Sequence, residues 1–158
     1  MIRRITSQPG DSAVTQNNHP TSVSVGENGL GRYQQSVRIG RHSLLADEPV
    51  AVGGEDAGPA PYDYLLAALG ACTSMTLRMY AEIKKLPLTA INVELTHEKI
   101  EIEGQGKVDR IERTITLDGD LSPEQRARML EIANKCPMYR TLRSEIRIDS
   151  SLAESVAA

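Results

Sequence analysis

Between Asp63 and Arg78 the chain carries no charged side chain, and this gap holds Leu65, Leu66, Ala67, Ala68, Leu69, Ala71, Cys72 and Met75. The series Leu65, Leu69, Cys72, Thr76, Met79, Ile83 advances in steps of three and four, which is helical spacing. Ala67, Ala68, Gly70 and Ala71 leave the remaining surface small and uncharged. A helix that is apolar on all sides belongs in an interior, and the gap is shorter than the ~20 apolar residues that cross a bilayer. The stretch Pro59–Lys85 therefore predicts a buried central helix with one thiol, Cys72, at its middle. Pro61 suits a first helical position, where its missing N–H costs nothing, and Asp63 faces the positive end of the dipole.

Ahead of that helix the pattern is one of strands. Val23 and Val25 alternate with serines, then Tyr33, Val37 and Ile39 share one parity, as in a half-buried strand. Gly40-Arg41-His42 marks a tight turn, and Ser43–Ala46 returns. Asp47–Gly58 is a loop; its Gly53-Gly54 pair reads as a plain turn, since no phosphate-loop spacing follows and Glu55 and Asp56 sit in it. Beyond the helix, Ile91, Val93 and Leu95 alternate with polar residues, Ile100 and Ile102 continue, and Gly104-Gln105-Gly106 turns the chain. Ile111, Ile115 and Leu117 then form the matching face of an antiparallel hairpin with one wet side. Ser122-Pro123-Glu124-Gln125 is a capping box that opens a helix ending near Asn134. Cys136-Pro137 opens a short helix, Pro137–Leu142, and Ile146 with Ile148 predicts a final strand. A polar lead, 1–21, and a tail, 151–158, flank one folded unit, 22–150.

Composition narrows the function. The 158 residues suit a single domain, and a net charge of −3 points to neither a nucleic acid nor an anionic membrane. Five Tyr with no Phe or Trp argue against base-stacking surfaces. No apolar run follows Arg3 and Arg4, so the start is not a secretory signal and the protein is expected to be cytoplasmic. In such a compartment two cysteines are either core residues or a redox pair.

The thiolate is the nucleophile, and an ordinary thiol, with pKa ~8.5, is mostly protonated at neutral pH. Cys72 lies about two and a half turns into its helix, beyond the reach of the dipole, among neighbours that disfavour charge. A reactive Cys72 therefore needs a guanidinium, with Arg41 the first choice and Arg38 and Arg32 behind it. Cys136 needs less help, at a helix start with Arg140 one turn on. On residue type alone, a cysteine in an apolar helix is more often an inert core residue. The chain has no CxxC, and His19, His42 and His97 complete no metal set. No GxSxG elbow supports a serine hydrolase.

The stretch Ala46–Ala81, reading ADEP, four residues, then GxDxGPxPYDYLLAALGACTSMTLRMYA, strongly resembles the OsmC/Ohr family. So does Cys136-Pro137-Met138-Tyr139-Arg140-Thr141-Leu142, at the family's second cysteine motif. The likeness runs from about Ser22 to Ile148. It implies an α+β fold in an intertwined homodimer, with two buried central helices back to back, antiparallel sheets wrapped across both subunits, and active sites at the interface. It also implies a cofactor-free thiol peroxidase, an antioxidant enzyme that reduces organic hydroperoxides. Cys72 would be the peroxidatic thiol, Cys136 the resolving one, and a dithiol or lipoylated protein the reductant. Arg41 matches the family's activating arginine by its place at the hairpin turn.

Two positions depart from the family pattern. The organic-hydroperoxide-resistance branch has a glutamate ten residues before the first cysteine, holding the arginine; here Tyr62 occupies that place. The carboxylate role then falls among Asp63, Glu48 and Asp47. The second motif often has histidine where Tyr139 stands. An apolar pocket near Tyr62, Met75, Met79 and Tyr139 would favour alkyl or lipid hydroperoxides over hydrogen peroxide. Tyr62 and Tyr139 also support a rival expectation, a binding module for a small apolar or thiol-reactive ligand with vestigial peroxidase activity. A plain structural dimer with unreactive thiols is the third.

Overall fold

The computed structural model describes residues 22–154. The polar lead, 1–21, and the last residues of the tail, 155–158, lie outside the described residues. The chain opens with an antiparallel meander of β1 (Val23–Glu27), β2 (Gln35–Ile39) and β3 (His42–Ala46), in that order across the sheet. Val37 and Ala46 are buried, but Val23, Val25, Leu44 and Leu45 are exposed. The Tyr64 hydroxyl ties this sheet to the rest of the chain by donating to the Leu45 carbonyl.

Asp47 organises the loop that follows. Its Oδ1 accepts from the Glu48 N–H at 2.8 Å, and its Oδ2 from the N–H groups of Glu55 and Ala57 at 3.0 and 3.1 Å. These bonds wrap the loop, with its single 3-10 turn Val50–Val52, around one buried carboxylate. Gly54 is obligatory there, because a Cβ would lie 1.9 Å from the Glu48 carbonyl oxygen. The N–H of Ala57 first, then those of Glu48 and Glu55, hold the Asp47 carboxyl below its ordinary value against the opposing effect of burial. A depressed carboxylate contributes stability above its unfolded pKa and loses it as pH falls through the folded one. Asp47→Asn is therefore expected to lower the melting temperature at neutral pH, with the gap to the parent closing in acid. Parallel melting curves of the two proteins across the acid range check this.

The long helix α1 spans Pro61–Lys84, with the Asp63 carboxylate accepting the Ala60 N–H at 2.9 Å. Within one copy of the chain it is covered on one side only. Its buried residues are Leu69, Gly70, Thr73, Leu77 and Ala81, a single stripe. Met75, Met79 and Ile83 are 61, 58 and 75% exposed. The reason is coverage: one hairpin and two shorter helices reach only one side of a 24-residue helix.

That hairpin, β4 (Leu88–Ile102) with β5 (Gly106–Gly119), pairs Leu95 with Arg113 and Val93 with Ile115. It approaches α1 closely at Gly70, where a Cβ would meet the Leu95 Cδ1 at 2.8 Å. Helix α2 (Pro123–Ala133) starts at the expected capping box, with Ser122 Oγ accepting the Gln125 N–H and Gln125 Oε1 accepting the Ser122 N–H. Helix α3 (Pro137–Leu142) follows, with Cys136 as its N-cap. The core gathers Leu77, Ala81, Leu88, Leu121, Met129 and Ala133, where the second half of α1 meets the hairpin base and α2. The expected final strand is absent: Ile146 and Ile148 are exposed and pair with no strand among the described residues. A strand needs a ladder partner for its backbone groups, and one copy of the chain offers none there.

Candidate thiol site

Cys136 lies where α1, β5 and α3 converge, beside the residue that follows Cys72 on α1. Cys72 is half-buried and Cys136 fully buried, and both are free thiols. Cys136 Sγ lies 3.7 Å from Thr73 Oγ1, so the second cysteine is packed against the residue that follows the first. Cys136 is held there from two sides. The hinge between α2 and α3 turns at Asn134 and Lys135, and the Tyr139 N–H donates to Cys136 Sγ at 3.3 Å.

One guanidinium binds this junction together, and sequence reasoning missed it. Arg113 Nη1 donates to Thr73 Oγ1 at 2.8 Å and to the Ala133 carbonyl at 3.3 Å, while Nη2 donates to Asn134 Oδ1 at 2.7 Å. Its carbon sits 5.2 Å from the centre of the Tyr139 ring, a cation–π contact. Four segments are thereby tied to one side chain. The signal was present: Ile111, Arg113, Ile115 and Leu117 share one parity on the face toward α1, so Arg113 is a charge in an apolar row. Beside it opens a groove of about 430 Å³, lined by Leu69, Ile111, Leu130, Leu142, Tyr139 and Arg113, with Asp109 and Arg143 also on its wall.

The remaining expected residues lie elsewhere. Arg41 is exposed at the tip of the β2–β3 turn, and no hydrogen bond or ion pair among the described residues joins it to Cys72. Asp63 caps the start of α1. Glu48 shares a shallow hollow with Arg32 and Pro61, making no ion pair among the described residues. Tyr62 stacks on His97, ring centres 4.2 Å apart and 11° from parallel. His97 Nε2 and Lys99 Nζ each lie 2.8 Å from Asp109 Oδ1. Lys99 first and His97 second hold the Asp109 carboxyl below its ordinary value. Tyr62 stands ten positions before Cys72 on α1, about 15 Å along the axis. Met75 and Met79 line a separate open groove with Ser74, Arg78 and Ile91. Within one copy of the chain the residues of the expected apolar pocket thus lie in different hollows, with Met75 one turn from Cys72 on α1 and Tyr139 one turn from Cys136 on α3.

These features define a two-cysteine α+β domain in which a long helix lies on an antiparallel hairpin and carries one thiol, with the second packed against the residue that follows it. Residues 53–151 match the sequence profile of the OsmC-like protein family, and the chain belongs to that family. No curated protein matches it. Among solved structures, an OsmC-like protein from Mycoplasma pneumoniae superposes with a TM-score of 0.66 at 17% identity, covering 80% of this chain and 89% of that one. An organic hydroperoxide resistance protein from Elizabethkingia anophelis gives 0.64 at 18%, covering 81% and 91%. The organic hydroperoxide resistance protein OsmC from Legionella pneumophila gives 0.63 at 18%, covering 80% and 90%. At these identities the likeness is one of fold. No helix among the described residues is long and apolar enough to cross a membrane.

Proposed function

We propose that the protein is a thiol-dependent peroxidase that reduces organic hydroperoxides and works as a homodimer. The observation that carries this reading is the packing of Cys136 on Thr73, the neighbour of Cys72, across 63 positions of sequence. Family membership supports it, and two proteins of the same fold are described as organic hydroperoxide resistance proteins.

The Cys72 thiolate attacks the distal oxygen of ROOH. The O–O bond breaks, RO⁻ leaves and takes a proton to become the alcohol, and Cys72 is left as the sulfenic acid. The Cys136 thiolate then attacks the Cys72 sulfur, an S–S bond forms, and hydroxide leaves to become water. An external dithiol supplies two electrons by exchange and restores both thiols. Half-exposed Cys72 suits the first step, and buried Cys136 suits the second, because it is shielded from peroxide in solution.

The homodimer is supported by what one copy leaves uncovered. The outer side of α1, the face of the β1–β3 sheet that carries Val23, Val25 and Leu44, and the Ile146–Ile148 segment all leave apolar side chains exposed. In an intertwined pair, the β1–β3 arm of one copy crosses the α1 of the other. Arg41 of the partner subunit then supplies the cation at Cys72, stabilising charge on the peroxide oxygens.

The deciding experiment is intact mass spectrometry after one equivalent of cumene hydroperoxide, with and without a dithiol. The expected result is loss of two hydrogens per chain through a Cys72–Cys136 disulfide, reversed by the dithiol. Unchanged thiols, or disulfides between chains only, overturn the reading. The groove beside Arg113 and Tyr139 favours the second reading, a binding module, which predicts no repeated turnover with dithiol.

A further inference from the structure

We infer that Thr73 and Arg113 form a hydroxyl relay that favours the thiolate of Cys136, and so makes it the attacking group in disulfide closure; the closure step rests on the peroxidase reading above. Thr73 and Cys136 are both 0% exposed. Three polar groups surround Thr73 Oγ1: the Leu69 carbonyl at 2.8 Å, Arg113 Nη1 at 2.8 Å and Cys136 Sγ at 3.7 Å. A threonine hydroxyl has one hydrogen and two lone pairs, whereas a guanidinium only donates. Arg113 therefore occupies one lone pair, and the hydroxyl hydrogen has two places to go.

Each protonation state of Cys136 selects one of them. With the thiol, S–H donates to the free lone pair of Thr73 and the hydroxyl donates to Leu69, so every group is satisfied. With the thiolate, the sulfur carries no hydrogen and needs donors. The Thr73 hydroxyl then turns to it, joining the Tyr139 N–H that already points there at 3.3 Å. Leu69 loses little, because its carbonyl keeps the backbone bond from the next helical turn.

Arg113 gives this switch its direction. Its hydrogen-bond acceptors are Thr73, the Ala133 carbonyl and Asn134, all neutral, and no carboxylate pairs with it among the described residues. Its full charge thus acts on the hydroxyl, and a donated hydrogen bond makes that hydroxyl a stronger donor in turn. A buried thiolate requires such compensation. The other ionisable groups facing the junction are Tyr139 on α3 and, along the adjoining groove, Asp109 and Arg143. Asp109 is engaged by His97 and Lys99.

The test reads Cys136 with no peroxide present. In Cys72→Ser it is the sole thiol, and its ultraviolet thiolate absorbance is followed against pH. Adding Thr73→Val removes the hydroxyl at nearly constant shape, and is expected to move half-ionisation toward alkaline pH by at least about tenfold in proton concentration. Thr73→Ser keeps the hydroxyl and is expected to stay within about threefold of the parent. Arg113→Met shifts in the same direction as Thr73→Val and serves if the latter does not fold. A purely structural Arg113 would change the melting temperature and leave this profile where it was.

An unshifted profile in Thr73→Val or in Arg113→Met overturns the relay. With both cysteines present, Thr73→Val is expected to slow disulfide closure at neutral pH, with the deficit vanishing in alkali and sulfenic acid formation unchanged. If the profile shifts but no peroxide is consumed, the relay stands and the proposed reaction falls.

Discussion

Cys72→Ser is expected to abolish peroxide turnover, by on the order of a thousandfold or more, while Cys136→Ser keeps the first oxidation and stops after one equivalent. The asymmetry follows from burial and order of attack. A serine hydroxyl is not ionised at neutral pH, so the first variant has no nucleophile of comparable power. In the second, peroxide still reaches half-exposed Cys72, but no thiol waits behind it. Sulfenic acid then accumulates on Cys72, where a dimedone label reports it by mass. Serine at position 136 keeps a polar atom for the Tyr139 N–H and for Thr73, so the variant is expected to fold. Retained turnover in Cys72→Ser, or loss of the first oxidation in Cys136→Ser, would reverse or remove the assigned roles.

The second large effect concerns assembly. Met79→Glu, alone or with Met75→Glu, is expected to dissociate the dimer and to lower its stability with it. Met75, Met79 and Ile83 lie along one side of α1, all more than half exposed in a single copy. Soluble proteins rarely leave contiguous apolar surface of that kind uncovered. An unpaired carboxylate placed in such an interface costs several kcal/mol.

Sedimentation is expected to show a dimer for the parent at micromolar concentration, and a monomer or unfolded chain for the variant. A parent that is a folded monomer sinks the dimer. The partner's role at the site is checked by co-expressing Arg41→Ala with Cys72→Ser. If Arg41 serves the other copy's thiol, the mixed dimer has one intact site and more activity than either variant alone. No gain would return the search for the cation to the same chain.

What could be read from the residues in order was what depends on neighbours in order. Helix α1, the β4–β5 hairpin, the Ser122 capping box and the start of α3 at Cys136 follow from spacing, caps and turns within a few residues of each other. The family likeness was legible for the same reason, since its two cysteine motifs are contiguous runs. The side of α1 that is covered was not. The series Leu65 to Ile83 marks apolar positions, but which of them face protein depends on where the hairpin lands, and Gly70 sets that landing by admitting Leu95.

The Arg113–Thr73–Cys136 junction was beyond sequence reading for the same cause. Forty positions separate Arg113 from Thr73 and 63 separate Thr73 from Cys136. No local signal measures those separations. The contact exists because the register of β5 against β4, the seating of β4 on α1 and the turn between α2 and α3 each bring one member to the same point. A hydrogen bond requires its partners within about 3 Å, and only the folded chain sets distances on that scale between residues so far apart in sequence.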